Sequence, residues 1–280
     1  MLQLQLFRVK VYPPTQSSLF DAQFAPQEVL VEAIRAKPAA ELRRGYTWHI
    51  GNVSELDPLG LYFALGRTTR STIELYDEGS GNFLEAEFPT APYTHVICDT
   101  ALEVVGIARK SQLAPTAPGI ARQFEKLLNA GAADSTRARF EVGAISDPDE
   151  FIQQIREAYA VKRFALTFSL PNPFDVNKDF QEPMERLLRD AEGNRGRTSL
   201  SGEDLNADVL EDLARSAAAT GNQAEAIIKR SENSKPVKRR LTGDVATISE
   251  EELATDEDRR SVLQEIRDLY GRIRGSFQQK

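Results

Sequence analysis

The chain has 280 residues, of which 41% are hydrophobic and 28% charged, and its formal net charge is −7. These values exclude a wholly disordered chain, because the length and apolar content are sufficient for a substantial core. No apolar run approaches the roughly 18 residues that a membrane-spanning helix needs. One cysteine and two histidines cannot by themselves form a disulfide or complete a tetrahedral Cys/His zinc site. We therefore expect a soluble protein, and the single cysteine favours the reducing cytoplasm.

The first half of the chain predicts mainly β-structure, because apolar and polar residues alternate between turn signals. The opening strand has no basic head, so we expect no export signal. A helix is predicted over residues 26–36. Strands are predicted at the opening and over residues 46–50, 60–65, 71–76, 82–88, 93–98 and 103–108, with hairpins joining the last four in pairs.

From Pro115 onward, apolar residues recur at helical spacing. Helices are predicted over residues 116–131, from Asp147, over 180–193 and over 207–219. Strands are predicted over residues 163–169, 223–229 and 236–241, the last two as a basic hairpin. The glycine- and serine-rich stretch 192–203 is predicted to be a loop, either mobile or ordered by a partner.

A final amphipathic helix is predicted behind a capping box formed by Ser249 and Glu252. The sequence therefore predicts an α+β protein, with a mainly antiparallel sheet, helices on one face and a C-terminal amphipathic helix. Residues 1–114 form a mainly β part in this interpretation, and residues 115–243 a mixed α/β part of the same or a second domain. Residues 244–280 form the charged C-terminal helix.

The charges near the C-terminus are segregated by sign. Residues 229–240 are rich in cations. All charged residues of the stretch 244–258 are acidic, and basic residues follow it. Segregation of this kind creates a local field that a polyanion can recognise. We therefore predict a nucleic-acid-binding surface, although a solvated, self-paired charge run and a protein-binding surface remain open. Its residues are Arg195, Arg197, Lys229, Arg230, Lys235, Lys238, Arg239 and Arg240.

Motifs for catalysis are weak. The sequence has neither of the glycine-rich phosphate-binding patterns nor the G-x-S-x-G pattern of serine hydrolases. His49, His95 and Cys98 fall within predicted strands and are interpreted as structural residues. Asp99 and Glu103 are candidates for a metal-dependent nuclease or hydrolase, but the E-x-K spacing common in such sites is absent. We predict no cofactor, no metal ligand and no catalytic residue.

Three short segments, at residues 168–175, 202–206 and 217–222, resemble uncharacterised bacterial proteins associated with antiviral defence. The resemblance implies a setting in which nucleic-acid sensing or partner binding is natural. The leading hypothesis is a non-catalytic, nucleic-acid-binding or partner-binding component of a bacterial antiviral system. The alternatives are the nuclease based on Asp99 and Glu103, and a structural subunit that assembles with a protein partner or with itself through the C-terminal helix.

Overall fold

The computed structural model of the chain describes residues 2–13, 25–132, 138–169, 181–193 and 195–275. The α+β class and the mainly antiparallel pairing are confirmed. The strands are β1 (Leu2–Tyr12), β2 (Ala39–Arg43), β3 (Tyr46–Asp57), β4 (Gly60–Asp77), β5 (Asn82–Thr90), β6 (Tyr93–Asp99), β7 (Val104–Ala108), β8 (Arg139–Ala144), β9 (Ala160–Ser169), β10 (Arg195–Ser201), β11 (Gln223–Lys229), β12 (Val237–Arg240) and β13 (Thr247–Glu250). The helices are α1 (Pro26–Arg35), α2 (Ala117–Ala132), α3 (Asp149–Arg156), α4 (Gln181–Asp190), α5 (Ala207–Ala219) and α6 (Asp256–Arg274).

The larger sheet has nine strands in the order β13-β1-β7-β6-β4-β3-β2, with β5 paired to β4 and β8 paired to β1. Strand β1 is central, because β7, β8 and β13 all pair with it in antiparallel register. Residues from all three predicted segments of the chain therefore contribute to one sheet. Each hairpin that the turn signals predicted is present, and the two strands predicted over 60–65 and 71–76 form the single long strand β4.

Alternation along the strands gives this sheet two buried faces. Leu4 and Leu6 belong to one hydrophobic cluster, whereas Phe7, Val9 and Val11 belong to the other. Helices α1 and α2 cover the second face, and α6 packs on the first, while α5 lies between α6 and the smaller sheet with α3 packed against it. The sequence analysis placed helices on one face, and the structure adds a helical layer on the other.

The smaller sheet has four antiparallel strands in the order β10-β9-β11-β12. Its inner face carries Phe164, Leu166, Ala224 and Ala226, which are buried together with the apolar residues of α5. The prediction of a loop over residues 192–203 is wrong, because Arg195–Ser201 forms an edge strand with seven partners on β9. Its serines and glycine lack the apolar alternation from which a strand is recognised, and pairing to β9 supplies the order instead.

The final helix begins later than predicted. Ser249 lies in β13, which pairs with β1, and Thr255 is the N-cap of α6. The Thr255 hydroxyl accepts from the amide of Asp258, and the Asp258 carboxylate accepts from the amide of Thr255, which completes a capping box. The predicted box at Ser249 and Glu252 is therefore wrong. In the described part of the chain, no helix has both the length and the apolar character required to cross a bilayer.

Candidate nucleic-acid interface

The face of the smaller sheet that points away from α5 is called the outer face here. Its members follow from strand register, because residues paired across neighbouring strands share a face. Arg197 pairs with Thr167, and Thr167 pairs with Gln223 on the next strand. Two residues further along β11, Glu225 pairs with Arg240. The cations of the outer face are Arg163, Arg195, Arg197, Lys238 and Arg240.

Four of the eight predicted site residues thus converge on one exposed surface: Arg195, Arg197, Lys238 and Arg240. Arg163 joins them although it was not predicted. The signal was present in the sequence, because Arg163 alternates with Phe164, Leu166 and Phe168 and must lie on the opposite face of the strand. Arg163 is exposed, and its Nε donates to Ser199 Oγ at 2.8 Å.

Glu225 lies in the middle of the outer face and partly neutralises it. Its carboxylate forms ion pairs with Arg197 and, at 2.5 Å, with Lys238. The hydrogen bond from Lys238 and the charge of Arg197 lower the pKa of Glu225. Both cations remain about half exposed, with side-chain exposures of 54% and 46%. Exposed ion pairs of this kind are weak, so either cation can exchange Glu225 for another anion.

The other four predicted residues lie elsewhere. Arg239 is only partly exposed and pairs with Ala226, which places it on the inner face. It therefore does not belong to the outer face, although it was predicted as part of the binding surface. Lys229 ends β11 and donates to the Glu232 carbonyl at 2.6 Å. Arg230 and Lys235 lie in the connection that follows, where Ser234 accepts from the backbone amide of Arg230. These last three residues surround the tip of the β11–β12 hairpin.

One end of the outer face opens into a cavity of about 350 Å³. Arg195 and Gln223 form one wall, and Tyr12 and Arg139 on the neighbouring edge of the larger sheet form the other. The Arg139 guanidinium lies 4.2 Å from the centre of the Tyr12 ring, and the Tyr12 hydroxyl donates to Glu141 at 2.9 Å. Sequence reasoning missed this wall, because residues 12 and 139 meet only through the pairing of β1 with β8.

The sequence matches the family described as a domain of unknown function (DUF4747) over residues 30–267. The chain belongs to the DUF4747 family. A comparison with curated proteins gave no match. The family match includes the whole smaller sheet, every strand of the larger sheet except β1, and most of α6, so the outer face lies within the DUF4747 region.

The carboxylates proposed for a nuclease are held by arginines in this DUF4747 protein. Asp99 is 2% exposed, and its Oδ2 accepts from Arg267 Nε at 2.6 Å. Arg267 also binds Asp57 at 2.7 Å, and the hydrogen bond from Arg267 lowers the pKa of Asp57. Glu103 is 8% exposed and lies 3.4 Å from the buried Arg8. Within the described ranges, no group of three His, Cys, Asp or Glu side chains is positioned to hold a metal ion.

The interpretation of Cys98 as an inert thiol agrees with its position in the DUF4747 fold. The side chain is fully buried, and burial, with the charges of Asp99 and Glu103, raises the pKa of the thiol. A thiol of this kind stays protonated and is a poor nucleophile. His49 lies near the surface, where its Nε2 is 3.0 Å from Thr68 Oγ1.

The apolar stripe of α6 packs into the DUF4747 core rather than facing solvent. Val262, Leu263, Ile266 and Tyr270 are each at most 1% exposed. The exposed large apolar side chains are instead concentrated on the β4–β5 ribbon, at Ile73, Leu75, Tyr76, Phe83, Leu84 and Phe88. Assembly through the stripe of α6 would require its buried residues, such as Val262 and Ile266, to leave the core.

Proposed function

We propose that this protein binds nucleic acid through the outer face, as a non-catalytic component of a bacterial antiviral system. The observation that carries the proposal is the convergence of Arg163, Arg195, Arg197, Lys238 and Arg240 on one open sheet face. The antiviral setting rests on the resemblance of the three short segments. Of those segments, most of residues 168–175 lies outside the described part of the chain.

The chemistry of the outer face favours contacts with the phosphate backbone. Arginine and lysine bind phosphates, whereas single-stranded bases are usually held by stacking on aromatic side chains. The described residues that point outward from β9, β10, β11 and β12 include no aromatic side chain. Arg195 and Arg197 are two residues apart on one strand, so their α-carbons are separated by roughly 6.6 Å. We therefore expect binding that depends strongly on salt and weakly on base sequence.

The test measures binding of labelled single- and double-stranded DNA and RNA by fluorescence anisotropy across a salt series. The variant Arg195→Gln/Arg197→Gln/Arg240→Gln removes three outer-face cations. We expect its slope of log affinity against log salt to be shallower by about 2 to 3, because each phosphate contact contributes about 0.7 to 0.9.

The matched control is Arg44→Gln/Arg122→Gln/Lys126→Gln, which makes the same change in net charge at exposed positions outside the smaller sheet. An equal loss of affinity in the two variants would show that net charge, rather than the outer face, determines binding. Absence of binding by the natural sequence at low salt would rule the proposal out.

The nuclease hypothesis is a weaker proposal, because Asp99 and Glu103 are directed at Arg267 and Arg8. The binding assay separates the two when it is repeated with Mg²⁺ and the nucleic acid is run on a denaturing gel. Shortened product would support the nuclease. Assembly through α6 is weaker for a similar reason, since its stripe is buried.

A further inference from the structure

A second cavity, called the α6 cavity, lies at the beginning of α6 and has a volume of about 690 Å³. Its walls come from β3, β4, β6 and the segment that leads into α6. Tyr62, Tyr93 and His95 form one side, and Ser54 and Asn52 form another. The volume lies within the range of small-molecule sites, and the walls combine two tyrosine rings with polar and charged side chains.

The β3 wall is shaped by a bulge. Gly51 pairs with Ala64 and Ser54 pairs with Tyr62, so Asn52 and Val53 lie opposite the single residue Phe63. Asn52 adopts a left-handed conformation with φ of 49°, which is strained for a residue with a side chain. Ser54 follows the bulge and lines the cavity, and its hydroxyl oxygen is buried within the wall.

Strands β4 and β6, which follow β3 in the sheet, present a neutral imidazole to the cavity. Tyr62 Oη and His95 Nδ1 are 2.9 Å apart. Burial raises the pKa of Tyr62, so the phenol keeps its proton and can donate it to Nδ1. Burial, with the positive charges of Arg259 and Lys110, lowers the pKa of His95, so the ring is neutral at pH 7. In this arrangement the remaining proton of His95 is on Nε2, which has no partner among the described residues.

The charges around the cavity disfavour an anion. Arg259 is already engaged, because it donates to Asp256 and to the carbonyls of Leu253 and Ala254 while its guanidinium lies 3.9 Å from the centre of the Tyr62 ring. Glu252 is exposed at the rim. A phosphate would therefore meet a carboxylate and a cation whose hydrogen bonds are used.

The aromatic wall has an open surface. Tyr93 is 49% exposed, and its ring meets the His95 ring edge-on, at 71° and 5.6 Å between centres. About half of Tyr93 is thus accessible beside the Nε2 donor of His95. This is the combination by which proteins hold single bases, through stacking and hydrogen bonds to the base edge.

We infer that the α6 cavity binds an uncharged nucleobase or nucleoside. The base stacks on Tyr93, and a ring nitrogen or carbonyl of the base accepts from His95 Nε2. The inference does not rest on nucleic-acid binding at the outer face, because a nucleoside has no phosphate to contact the cations there.

The two histidines make this inference directly testable by NMR. The imidazole resonances of His95 and His49 are followed while adenosine, guanosine, cytidine or uridine is added, with inorganic phosphate, ribose and putrescine as separate additions. We expect at least one nucleoside to shift the His95 resonances saturably and to leave those of His49 unchanged. Absence of any nucleoside effect at millimolar concentration, or an equal effect of phosphate, ribose or putrescine, would overturn the inference.

Variants distinguish stacking from an indirect effect. Tyr93→Leu removes the exposed ring and should weaken binding at least tenfold. His49→Gln is the matched control and should bind as the natural sequence does. The outer-face triple variant should also retain nucleoside binding, so failure of one proposal is separable from failure of the other. Unchanged affinity in Tyr93→Leu would contradict the stacked arrangement.

Discussion

Arginines serve two different roles in this DUF4747 protein, and the contrast lies between the outer face and the interior of the larger sheet. On the outer face, Arg197 is 54% exposed and shares one carboxylate with Lys238. In the interior, Arg8 is fully buried beside Tyr270 and Glu103, and Arg267, whose side chain is 26% exposed, joins the buried Asp99 to Asp57. The same side chain is available to a ligand in one place and is committed to the fold in the other.

The comparison shows that the density of charge along the sequence does not identify a binding residue. Arg267 and Arg240 both belong to the charge-segregated end of the chain, yet Arg267 is directed inward from α6 and Arg240 outward from β12. Burial decides the difference, because a desolvated cation needs a fixed anionic partner whereas an exposed cation can exchange partners. Each prediction below alters one side of this contrast.

The largest expected effect is the loss of Arg267, the partly buried cation that pairs with the buried Asp99. Arg267→Ala leaves Asp99, which is 2% exposed, without its ionic partner. We expect the free energy of unfolding to fall by about 3 to 5 kcal/mol, as for other broken buried pairs. Urea denaturation measures the change, and Arg272→Ala on the exposed side of the same helix is the control, with an expected change within about 0.5 kcal/mol. If Arg267→Ala lowers the free energy of unfolding by less than about 1 kcal/mol, Arg267 contributes no more to stability than an exposed arginine does.

A smaller effect is expected from the edge strand that carries Arg195 and Arg197. A Cβ at Gly196 would lie 2.5 Å from the buried ring of Phe168 on the paired strand. We expect Gly196→Ala to destabilise the chain by about 1 to 3 kcal/mol, as overpacking does, and to increase amide exchange across β10. Hydrogen exchange measures this, and Gly51→Ala, where the added Cβ meets no atom within 4 Å, is the control. Unchanged exchange in β10 would indicate that Phe168 adjusts freely.

Removing the central carboxylate should strengthen the outer face. Glu225→Gln releases Arg197 and Lys238 from their shared ion pair. We expect nucleic-acid affinity to increase about two- to fivefold at low salt, with a steeper salt dependence. Because the pair is exposed, stability should change by no more than about 1 kcal/mol. Lower affinity in this variant would mean that Glu225 orients the two cations rather than neutralising them.

The interior cluster should also make stability sensitive to acid. The pKa of Asp57 is lowered below 3.8 in the folded chain, mainly by the hydrogen bond from Arg267. Its stabilising contribution is therefore complete above the unfolded pKa near 3.8 and is lost as the pH falls through the folded value. We expect the loss of stability below about pH 4 to be shallower in Asp57→Asn, measured by urea denaturation at several pH values. An identical pH dependence in both proteins would contradict this assignment.

The elements that alternation or capping specifies were predicted well. The bounds of α5 and β11 agree with the prediction, and the paired strands of β6 and β7 follow from their β-branched residues. The strand β10 was missed because its polar residues show no alternation, and its order comes from pairing with β9. The N-cap of α6 was misplaced because Ser249 and Glu252 match the same local pattern as Thr255 and Asp258. Pairing of β13 with β1 decides between the two.

The sequence alone determined the α+β class, the basic hairpin and the identity of four outer-face cations. It did so because period-two and helical patterns are local, and side-chain alternation follows from backbone geometry. Tertiary structure alone decided which arginines are buried, brought Tyr12 to Arg139, and assembled Ser54, Tyr93 and His95 around one cavity. Those relationships join residues far apart in the chain, and they depend on sheet pairing and helix packing that no local pattern encodes.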